Sequence, residues 1–376
     1  MDVMSTDDAA YLPTVYVVTN TPKRREELGG VLSHFFDLSM FDTTSKAGES
    51  LTEKTPDVVL VEIELTRKGG LNPLLTSAGG AEGDHPPFIF IGQKGESFDA
   101  LVTEFGETSR YLRWPITARK LIDIIGELIS IGAEESWDEL PDIQKKPLKL
   151  TIKEYKNIAT AIERGEPIDY NSAAKSCAPV AEAVLSGAHH DLLNSVQAHH
   201  NYTYVHSMRV ATLLTLFGYG LGMKGDNLLI LSTGGLLHDV GKLMTPPVIL
   251  DKPGKLTEEE WPIMRDHAVH CAALLKAGDD VTRGAQIIAE QHHEKLDGTG
   301  YPKGLKGNEL NELARISMIC DIFGALTDRR SYKEAFSVEK AFGILESMAT
   351  GIDQNLLAIF KDIFISTKPL EQAAGN

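Results

Sequence analysis

The sequence predicts two domains of different fold class, an α/β doubly wound domain followed by an all-α helical domain. The chain has 376 residues, more than one ordinary hydrophobic core accommodates. Short β-branched and aromatic runs alternate with helix-like stretches over about the first 130 residues, and later apolar residues recur at helical spacing. We therefore expect residues 1–131 to form the first domain, residues 132–150 a linker, and residues 151–376 the second domain.

Three short apolar runs in the first domain predict buried strands. They lie at residues 14–18, 57–61 and 88–91, and turn-forming residues bound each of them. Residues 22–35 and 117–131 have the apolar spacing of helices. Alternation of strands and helices is typical of a parallel sheet with helices on both faces.

The order and spacing of these elements resemble a response-regulator receiver domain, but the residues of receiver chemistry are replaced. Thr19 and Asn20 stand where receivers have an acidic pair, and Glu62 stands at the phosphoacceptor position. Gly92 and Trp114 occupy the places of the usual hydroxyl residue and lysine. We therefore expect no aspartyl phosphorylation. Glu62 is either a fixed mimic of the phosphorylated state or part of a vestigial sheet kept for dimerisation or docking to a signalling partner.

The character of the chain changes near residue 140. Residues 132–150 are polar and include Lys145, Lys146 and Pro147, a composition typical of linkers. The apolar residues that follow recur at helical spacing, and this pattern predicts an all-α domain. Its clearest segments are residues 213–217, 228–237 and 268–275.

Composition indicates a globular protein of the reducing cytoplasm. Hydrophobic residues make up 42% of the chain and charged residues 24%. The acidic start lacks the features of a signal peptide, and no apolar run has the length of a membrane span. The three cysteines, Cys177, Cys271 and Cys320, are far apart and odd in number, so we expect no disulfide framework.

The formal net charge of −16 excludes nucleic-acid polymers and anionic membranes as general partners, because most of the surface would repel them. An anionic ligand would need a local positive site. A bound metal cluster can supply one.

The helical half contains a set of residues with metal-ligand chemistry. The other histidines are interpreted as surface or satisfied core residues: His34, His85, His189, His190, His199, His200 and His270. Adjacent His-Asp or His-His pairs are different, because burying them without a metal would leave polar nitrogens in need of other partners. The candidate ligands are His206, His238, Asp239, His267, His292, His293 and Asp321.

The donor types restrict the metal. Nitrogen and carboxylate ligands without thiolates suit Fe, Mn, Zn, Co or Ni, and a carboxylate can bridge two ions. Five histidines and two aspartates are enough for two divalent ions and too many for one.

Three blocks of sequence resemble the HD-GYP family of metal-dependent phosphodiesterases. They are residues 238–242 (HDVGK), residues 249–257 (ILDKPGKLT) and residues 292–302 (HHEKLDGTGYP), and the resemblance extends from about Tyr202 to Phe360. It implies a hydrolase that converts cyclic di-GMP to pGpG, and more slowly to GMP, through a hydroxide that bridges two ions. Fe or Mn is the favoured metal. In some members of the family, a glutamate at the position of Tyr202 accompanies a third metal. Tyr202 stands there in this chain, so we expect two metals.

The resemblance also assigns roles to individual residues. His206, His238, Asp239 and Asp321 would hold one metal, and Asp239 would bridge to a second held by His267, His292 and His293. Lys242, one helical turn after His238, would neutralise a phosphate oxygen or assist the leaving oxygen. Glu294 and Asp297 would accept hydrogen bonds from metal-bound imidazoles. Tyr301 would either contact the substrate or only pack the loop. Arg329 and Lys333 would either lie near the substrate or belong to a solvated helix end.

The sequence departs from the family pattern beyond Asp321, and this keeps other functions open. Gly324 replaces a second aspartate, Ser331 replaces a proline, and Asn311 stands where a proline is common. One alternative is a catalytically weak sensor that binds a cyclic dinucleotide or metal and signals through the first domain. Another is a broader nucleotide phosphohydrolase of the HD type, against which the Gly300-Tyr301-Pro302 segment argues.

Overall fold

The chain divides into two compact units, one extending to Ala133 and the other beginning at Glu134. The structure is a computed structural model. It describes residues 12–33, 35–65, 74, 85–99, 101–102, 109–199, 201–250, 252, 255–328 and 335–367.

The first unit contains a five-stranded parallel sheet. Its strands lie in the order β2 (Asp37–Phe41), β1 (Thr14–Val18), β3 (Val58–Glu62), β4 (Phe88–Gly92) and β5 (Arg110–Arg113). Alternate residues of β1 belong to different hydrophobic clusters. Val15 and Val17 pack with α1 (Pro22–Leu32) and α3 (Ala118–Ser136), whereas Tyr16 and Val18 pack with α2 (Thr44–Glu53). Both faces of the sheet are therefore covered, as the α/β prediction requires. The described elements are β1 (Thr14–Val18), α1 (Pro22–Leu32), β2 (Asp37–Phe41), α2 (Thr44–Glu53), β3 (Val58–Glu62), β4 (Phe88–Gly92), β5 (Arg110–Arg113) and α3 (Ala118–Ser136).

The two edge strands, β2 and β5, lack the continuous apolar runs that reveal the central three. All five residues of β1, β3 and β4 are buried, whereas those of β2 and β5 are partly or fully exposed. An edge strand has a neighbour on one side only, so its sequence need not be apolar at every position.

At the carboxyl end of β3, the buried side chain of Glu62 forms an ion pair with Arg24 of α1. The Arg24 guanidinium also lies 4.9 Å from the centre of the Trp114 ring. The negative charge of Glu62 therefore has a cationic partner within the unit.

The second unit is helical, as the sequence predicts. Its central helix, α7 (Tyr202–Gly220), supplies Tyr204 and Met208 to one apolar cluster and Leu213 and Phe217 to another. The helices are α4 (Asp142–Glu163), α5 (Tyr170–Leu185), α6 (His189–Ser195), α7 (Tyr202–Gly220), α8 (Asp226–Leu237), α9 (Pro247–Leu250), α10 (Glu260–Ala277), α11 (Arg283–Gln291), α12 (Glu312–Thr327), α13 (Val338–Ser347) and α14 (Gln354–Ser366). Within the described parts of the chain, none of the helices is both long and apolar enough to cross a membrane.

The segment predicted as a linker, residues 132–150, is largely helical. It comprises the end of α3, a 3₁₀ turn at Trp137–Glu139 and the start of α4. Leu148, Ile152 and Tyr155 are buried at helical spacing on α4, and Pro147 lies inside the helix. The apolar stripe outweighs the proline here, because packing against the core stabilises the helix more than one lost backbone hydrogen bond destabilises it.

Candidate metal centre

All seven predicted ligands converge in the helical unit, although they come from several different elements. His206 lies in α7, His267 in α10 and Asp321 in α12, whereas the remaining four lie at or just beyond helix ends. His238 and His292 are the C-cap residues of α8 and α11, and Asp239 and His293 follow them. Six of the seven residues are buried, and the His293 side chain is 23% exposed.

The donor atoms form two groups that share Asp239. One group contains His206, His238 and Asp239; the other contains Asp239, His267, His292 and His293, with the donor atoms of each group within 4.8 Å of one another. Asp321 lies against the first group, since its Oδ1 is 2.9 Å from Nε2 of His206 and 3.9 Å from Nε2 of His238.

The two oxygens of Asp239 face different groups. Oδ2 is 3.4 Å from Nε2 of His238 and 3.6 Å from Nε2 of His206. Oδ1 is 3.3 Å from Nε2 of His267 and 3.8 Å from Nε2 of His292. This is the orientation that a bridging carboxylate needs.

Three imidazoles are oriented by the same local hydrogen bond to a backbone carbonyl. Nδ1 of His238, His267 and His292 lies 2.7, 2.6 and 3.1 Å from the carbonyl oxygen of the residue three positions earlier, Gly235, Met264 and Ala289 respectively. A proton on Nδ1 can donate to that carbonyl, which leaves the Nε2 lone pair available for a metal.

Several donor atoms have geometry that suits a cation. Among the described residues, Nε2 of His238, Nε2 of His292 and Oδ1 of Asp239 are buried without hydrogen-bond partners. Nε2 of His267 lies 3.1 Å from Nε2 of His293. Two nitrogens bound at right angles to one ion, each at about 2.1 Å, would lie about 3.0 Å apart. The residues therefore fit a metal site.

The protonation states also suit metal binding. Burial lowers the pKa of His238 and His267, lowers that of His292 well below its usual value, and lowers that of His293 to about 3. Burial would raise the pKa of Asp239, but the nearby positive charge, that of Lys242 foremost, outweighs it and holds the pKa well below its usual range. Neutral imidazoles beside an ionised carboxylate are the forms that coordinate metals.

Lys242 contacts the ligand cluster, but the backbone that positions it is not the α-helix that the sequence predicts. Helix α8 ends at Leu237, and Lys242 belongs to a 3₁₀ turn at Val240–Met244, so it is not one α-helical turn beyond His238. Its Nζ lies 2.5 Å from Oδ2 of Asp239. A Cβ at Gly241 would come within 2.1 Å of the His267 carbonyl oxygen, so glycine allows this turn to pack on α10.

The hydrogen-bond partners of Glu294 and Asp297 are not the imidazoles that the sequence predicts; both carboxylates accept from groups of the following turn. The fully buried Glu294 accepts backbone N–H bonds from Lys303 at 2.6 Å and Leu305 at 2.9 Å. Asp297 accepts from the backbone and hydroxyl of Thr299. Both carboxylates hold the turn that carries Tyr301, while backbone carbonyls perform the predicted function beside three of the histidines.

Tyr301 lies against His293, the most exposed of the predicted ligands. Its ring stacks on His293 with centroids 4.6 Å apart and an interplanar angle of 30°. Gly300 makes this turn possible, because a Cβ there would lie 2.4–2.6 Å from backbone atoms of residues 294 and 295. The Arg265 guanidinium lies 5.3 Å from the Tyr301 ring centre. Sequence reasoning missed Arg265, whose position two residues before His267 was the available signal.

Comparison with known families agrees with this donor set. Residues 190–356 match the family described as HD domain, and the match includes all seven predicted ligands. The helical unit contains an HD domain.

Two curated relatives each match a little less than half of this chain. The chain is 41% identical over 167 residues to a 3′3′-cGAMP-specific phosphodiesterase of Vibrio cholerae, covering 44% of this chain and 36% of the relative. It is 34% identical over 180 residues to a cyclic di-GMP phosphodiesterase of Pseudomonas aeruginosa, covering 47% of this chain and 43% of the relative. The chain thus spans less than half the length of these two relatives.

A longer alignment includes the first unit. A Vibrio cholerae protein named "Probable cyclic di-GMP phosphodiesterase" is 27% identical over 353 residues, which cover 91% of this chain and 75% of that protein. The similarity is therefore not restricted to the HD domain.

Some predicted residues lie outside the metal cluster or outside the described residues. The five other histidines that are described, His85, His189, His190, His199 and His270, belong to neither donor group, whereas His34 and His200 lie outside the described residues. The predicted substrate contacts Arg329 and Lys333, and the substituted position Ser331, also lie outside them. At Gly324, a Cβ would lie 3.9 Å from Cε1 of His206, so this departure from the family pattern is adjacent to a predicted ligand.

Proposed function

We propose that the HD domain hydrolyses a 3′-5′ phosphodiester of cyclic di-GMP, giving pGpG and, more slowly, GMP. The supporting observation is the orientation of Asp239, which presents one oxygen to each of two donor groups. Relatives with cyclic dinucleotide phosphodiesterase names match 44% and 47% of the chain, and residues 190–356 match the HD domain family.

Two divalent ions, Fe or Mn by preference and Ni, Co or Zn as alternatives, would complete the site. His206, His238, Asp239 and Asp321 would hold one ion, and Asp239, His267, His292 and His293 the other. When bound, such ions supply the Lewis acidity that lowers the pKa of an attacking water and stabilises charge on phosphate oxygens.

The protein's own residues orient this chemistry. The backbone carbonyls of Gly235, Met264 and Ala289 fix three imidazoles with Nε2 toward the cluster. Lys242 places a cation against Asp239, and its side chain is 20% exposed. An ammonium at this position can contact a non-bridging phosphate oxygen of a substrate or assist the departing oxygen.

A cyclic dinucleotide is also consistent with the charge of the chain. The net charge of −16 disfavours a long polyanion over most of the surface. A small dianion needs only the local positive charge that Lys242 and a metal pair would provide.

Turnover by metal-loaded protein tests the proposal. The full chain, loaded anaerobically with Fe²⁺ or Mn²⁺, should convert cyclic di-GMP to pGpG, with products separated by chromatography and metal content measured in the same sample. Cyclic GMP-AMP and mononucleotides serve as comparison substrates. Binding of cyclic di-GMP without product would contradict hydrolysis and favour the sensor alternative, whereas preferential mononucleotide hydrolysis would favour the broader phosphohydrolase.

For the first unit, we propose a receiver-like module that is not phosphorylated and that serves a homodimer contact or a signalling partner. The Arg24 ion pair at Glu62 supports the vestigial interpretation, because the carboxylate charge is already neutralised inside the unit. Acetyl phosphate should leave the mass of the intact protein unchanged. A stable mass increase of one phosphoryl group located to the first unit would contradict this proposal.

A further inference from the structure

A stack of side chains extends outward from the metal cluster in the HD domain. Tyr301 stacks on His293, and the Arg265 guanidinium lies 5.3 Å from the Tyr301 ring centre and 5.7 Å from the Trp261 ring centre. Trp261 and Arg265 are four residues apart on α10, so they project from the same side of this helix. His267, two residues further along, is a predicted ligand.

This stack lies on the most accessible side of the predicted ligand set. The His293 side chain is 23% exposed, whereas those of His238, His267 and His292 are at most 1% exposed. Arg265 is exposed, and the Trp261 side of the stack is open as well, with 47% of that residue accessible. A ligand that reaches the cluster past His293 would therefore meet Tyr301 and Arg265.

Arg265 has the features of a cation that is positioned for an anionic ligand. Its guanidinium forms no ion pair with a carboxylate among the described residues, although the chain has 53 acidic residues. The guanidinium lies over two aromatic rings, and a cation–π contact does not use up its N–H groups, so these groups can still donate to a ligand. Such an edge matches the oxygens of a phosphate.

We propose that Arg265 is a substrate-positioning residue that binds the second phosphate of the cyclic dinucleotide while the first phosphate undergoes hydrolysis at the metal centre. This inference rests on the proposed function. It assigns Trp261 and Tyr301 to hold the guanidinium in place. Arg265 thereby favours substrates with two phosphates over simple phosphodiesters.

A comparison of two substrates isolates this contact. Cyclic di-GMP has two phosphates, whereas bis(p-nitrophenyl) phosphate has one phosphodiester and reports on the metal centre alone. For Arg265→Gln we expect KM for cyclic di-GMP to rise about 10-fold, the loss typical of one charge-assisted hydrogen bond. We expect kcat to remain within about 2-fold, bis(p-nitrophenyl) phosphate hydrolysis to be unchanged, and the salt dependence of KM to weaken.

Three further variants separate position, charge and packing. Arg265→Lys keeps the charge but loses the planar edge, so KM should rise about 3-fold. Trp261→Leu removes one aromatic contact and should also raise KM about 3-fold. Arg283→Gln is the matched control and should leave KM unchanged. It removes one exposed arginine at the start of α11, nine residues before His292, which is about 14 Å along the helix axis.

The possible results distinguish this inference from the proposed function. If the unsubstituted protein hydrolyses cyclic di-GMP but Arg265→Gln leaves its KM unchanged, the positioning contact is refuted while the proposed function stands. Equal losses on both substrates would also overturn it, because they would show that Arg265 supports the metal centre through Tyr301. An unsubstituted protein that cleaves bis(p-nitrophenyl) phosphate but not cyclic di-GMP would overturn both.

Discussion

The two units each bury a carboxylate that pairs with one basic side chain, but the surroundings of the two carboxylates differ. Glu62 in the first unit is 2% exposed and pairs with Arg24. Asp239 in the HD domain is 1% exposed and pairs with Lys242, yet four imidazole nitrogens also lie within 3.3–3.8 Å of its oxygens. Neutral imidazoles cannot neutralise a carboxylate.

This difference separates a completed ion pair from an incomplete coordination shell. The Glu62 pair needs nothing more than its arginine. Around Asp239, by contrast, the buried Nε2 atoms of His238 and His292 have no hydrogen-bond partners among the described residues. Buried polar atoms of this kind are costly unless a ligand satisfies them, so the comparison locates the metal site in the HD domain.

The largest expected effect comes from substitution of the two buried carboxylates, Asp239 and Glu62. Asp239→Ala removes the shared ligand, so we expect loss of most bound metal and a decrease in phosphodiesterase activity of more than about 100-fold. Elemental analysis and a hydrolysis assay measure both. The matched variant Glu62→Gln should retain metal and activity. Two ions per chain in Asp239→Ala would refute the bridging assignment.

The lysine beside Asp239 should have the next largest effect. In the proposed function Lys242 faces the substrate phosphate, and Lys242→Gln removes that cation, so we expect kcat to decrease about 100-fold, as for loss of one strong transition-state donor. Metal content should stay within about 2-fold of the unsubstituted protein. Lys276→Gln, at an exposed position on α10, is the control. A decrease in metal content that accounts for the lost activity would instead assign Lys242 to metal retention.

Acid should destabilise the metal-free helical unit before it affects the first unit. The pKa of His293 is about 3 in the folded state and near 6.5 in the unfolded chain, so the unfolded chain binds the extra proton between these values. Stability is therefore greatest above pH 6.5 and is lost as the pH falls toward 3. His293 alone contributes up to about 1.4 kcal/mol per pH unit in this window.

Calorimetry of the metal-free chain between pH 8 and pH 5 measures this effect. The transition of the helical unit should move to lower temperature, and hydrogen exchange of peptides from each unit identifies which one unfolds. Equal acid sensitivity of both units would contradict the assignment to buried histidines, since the one described histidine of the sheet unit, His85, is not buried.

The smallest predicted effect concerns the ion pair of the first unit. Glu62→Gln should lower the free energy of unfolding of that unit by about 1 kcal/mol, because the glutamine oxygen can still accept from Arg24 but the charge is lost. Chemical denaturation measures the change, and Glu27→Gln, in an exposed pair with Lys23, is the control. A stabilised Glu62→Gln variant would mean that the desolvation of this carboxylate destabilises the unit more than its ion pair with Arg24 stabilises it.

The sequence was most informative where chemistry restricts residue type. Histidines and aspartates in short motifs identified the seven candidate ligands, and apolar periodicity identified three central strands and the helical character of the second unit. Inference from the sequence failed where tertiary packing decides the secondary structure. Residues 132–150 contain a proline and many polar groups, but the buried face of α4 makes much of this segment helical.

The site shows the same limit at the level of single residues. Glu294 follows two predicted ligands, and this position suggests that it supports an imidazole, but its carboxylate reaches backbone amides nine and eleven residues away. Arg265 lies in no motif that sequence reasoning used. Its contact with Tyr301 joins residues 36 positions apart, which local spacing does not report.

The sequence by itself determined the donor chemistry and the local devices, because both depend on residue type and short spacing. A histidine at a helix end can place Nδ1 against the carbonyl three residues earlier whatever the remainder of the fold does. Only the tertiary structure decided that Asp239 presents one oxygen to each histidine group and that Asp321 meets His206 across 115 residues of sequence. Distances between atoms on different helices are set by how those helices pack, and no repeat within a single segment encodes them.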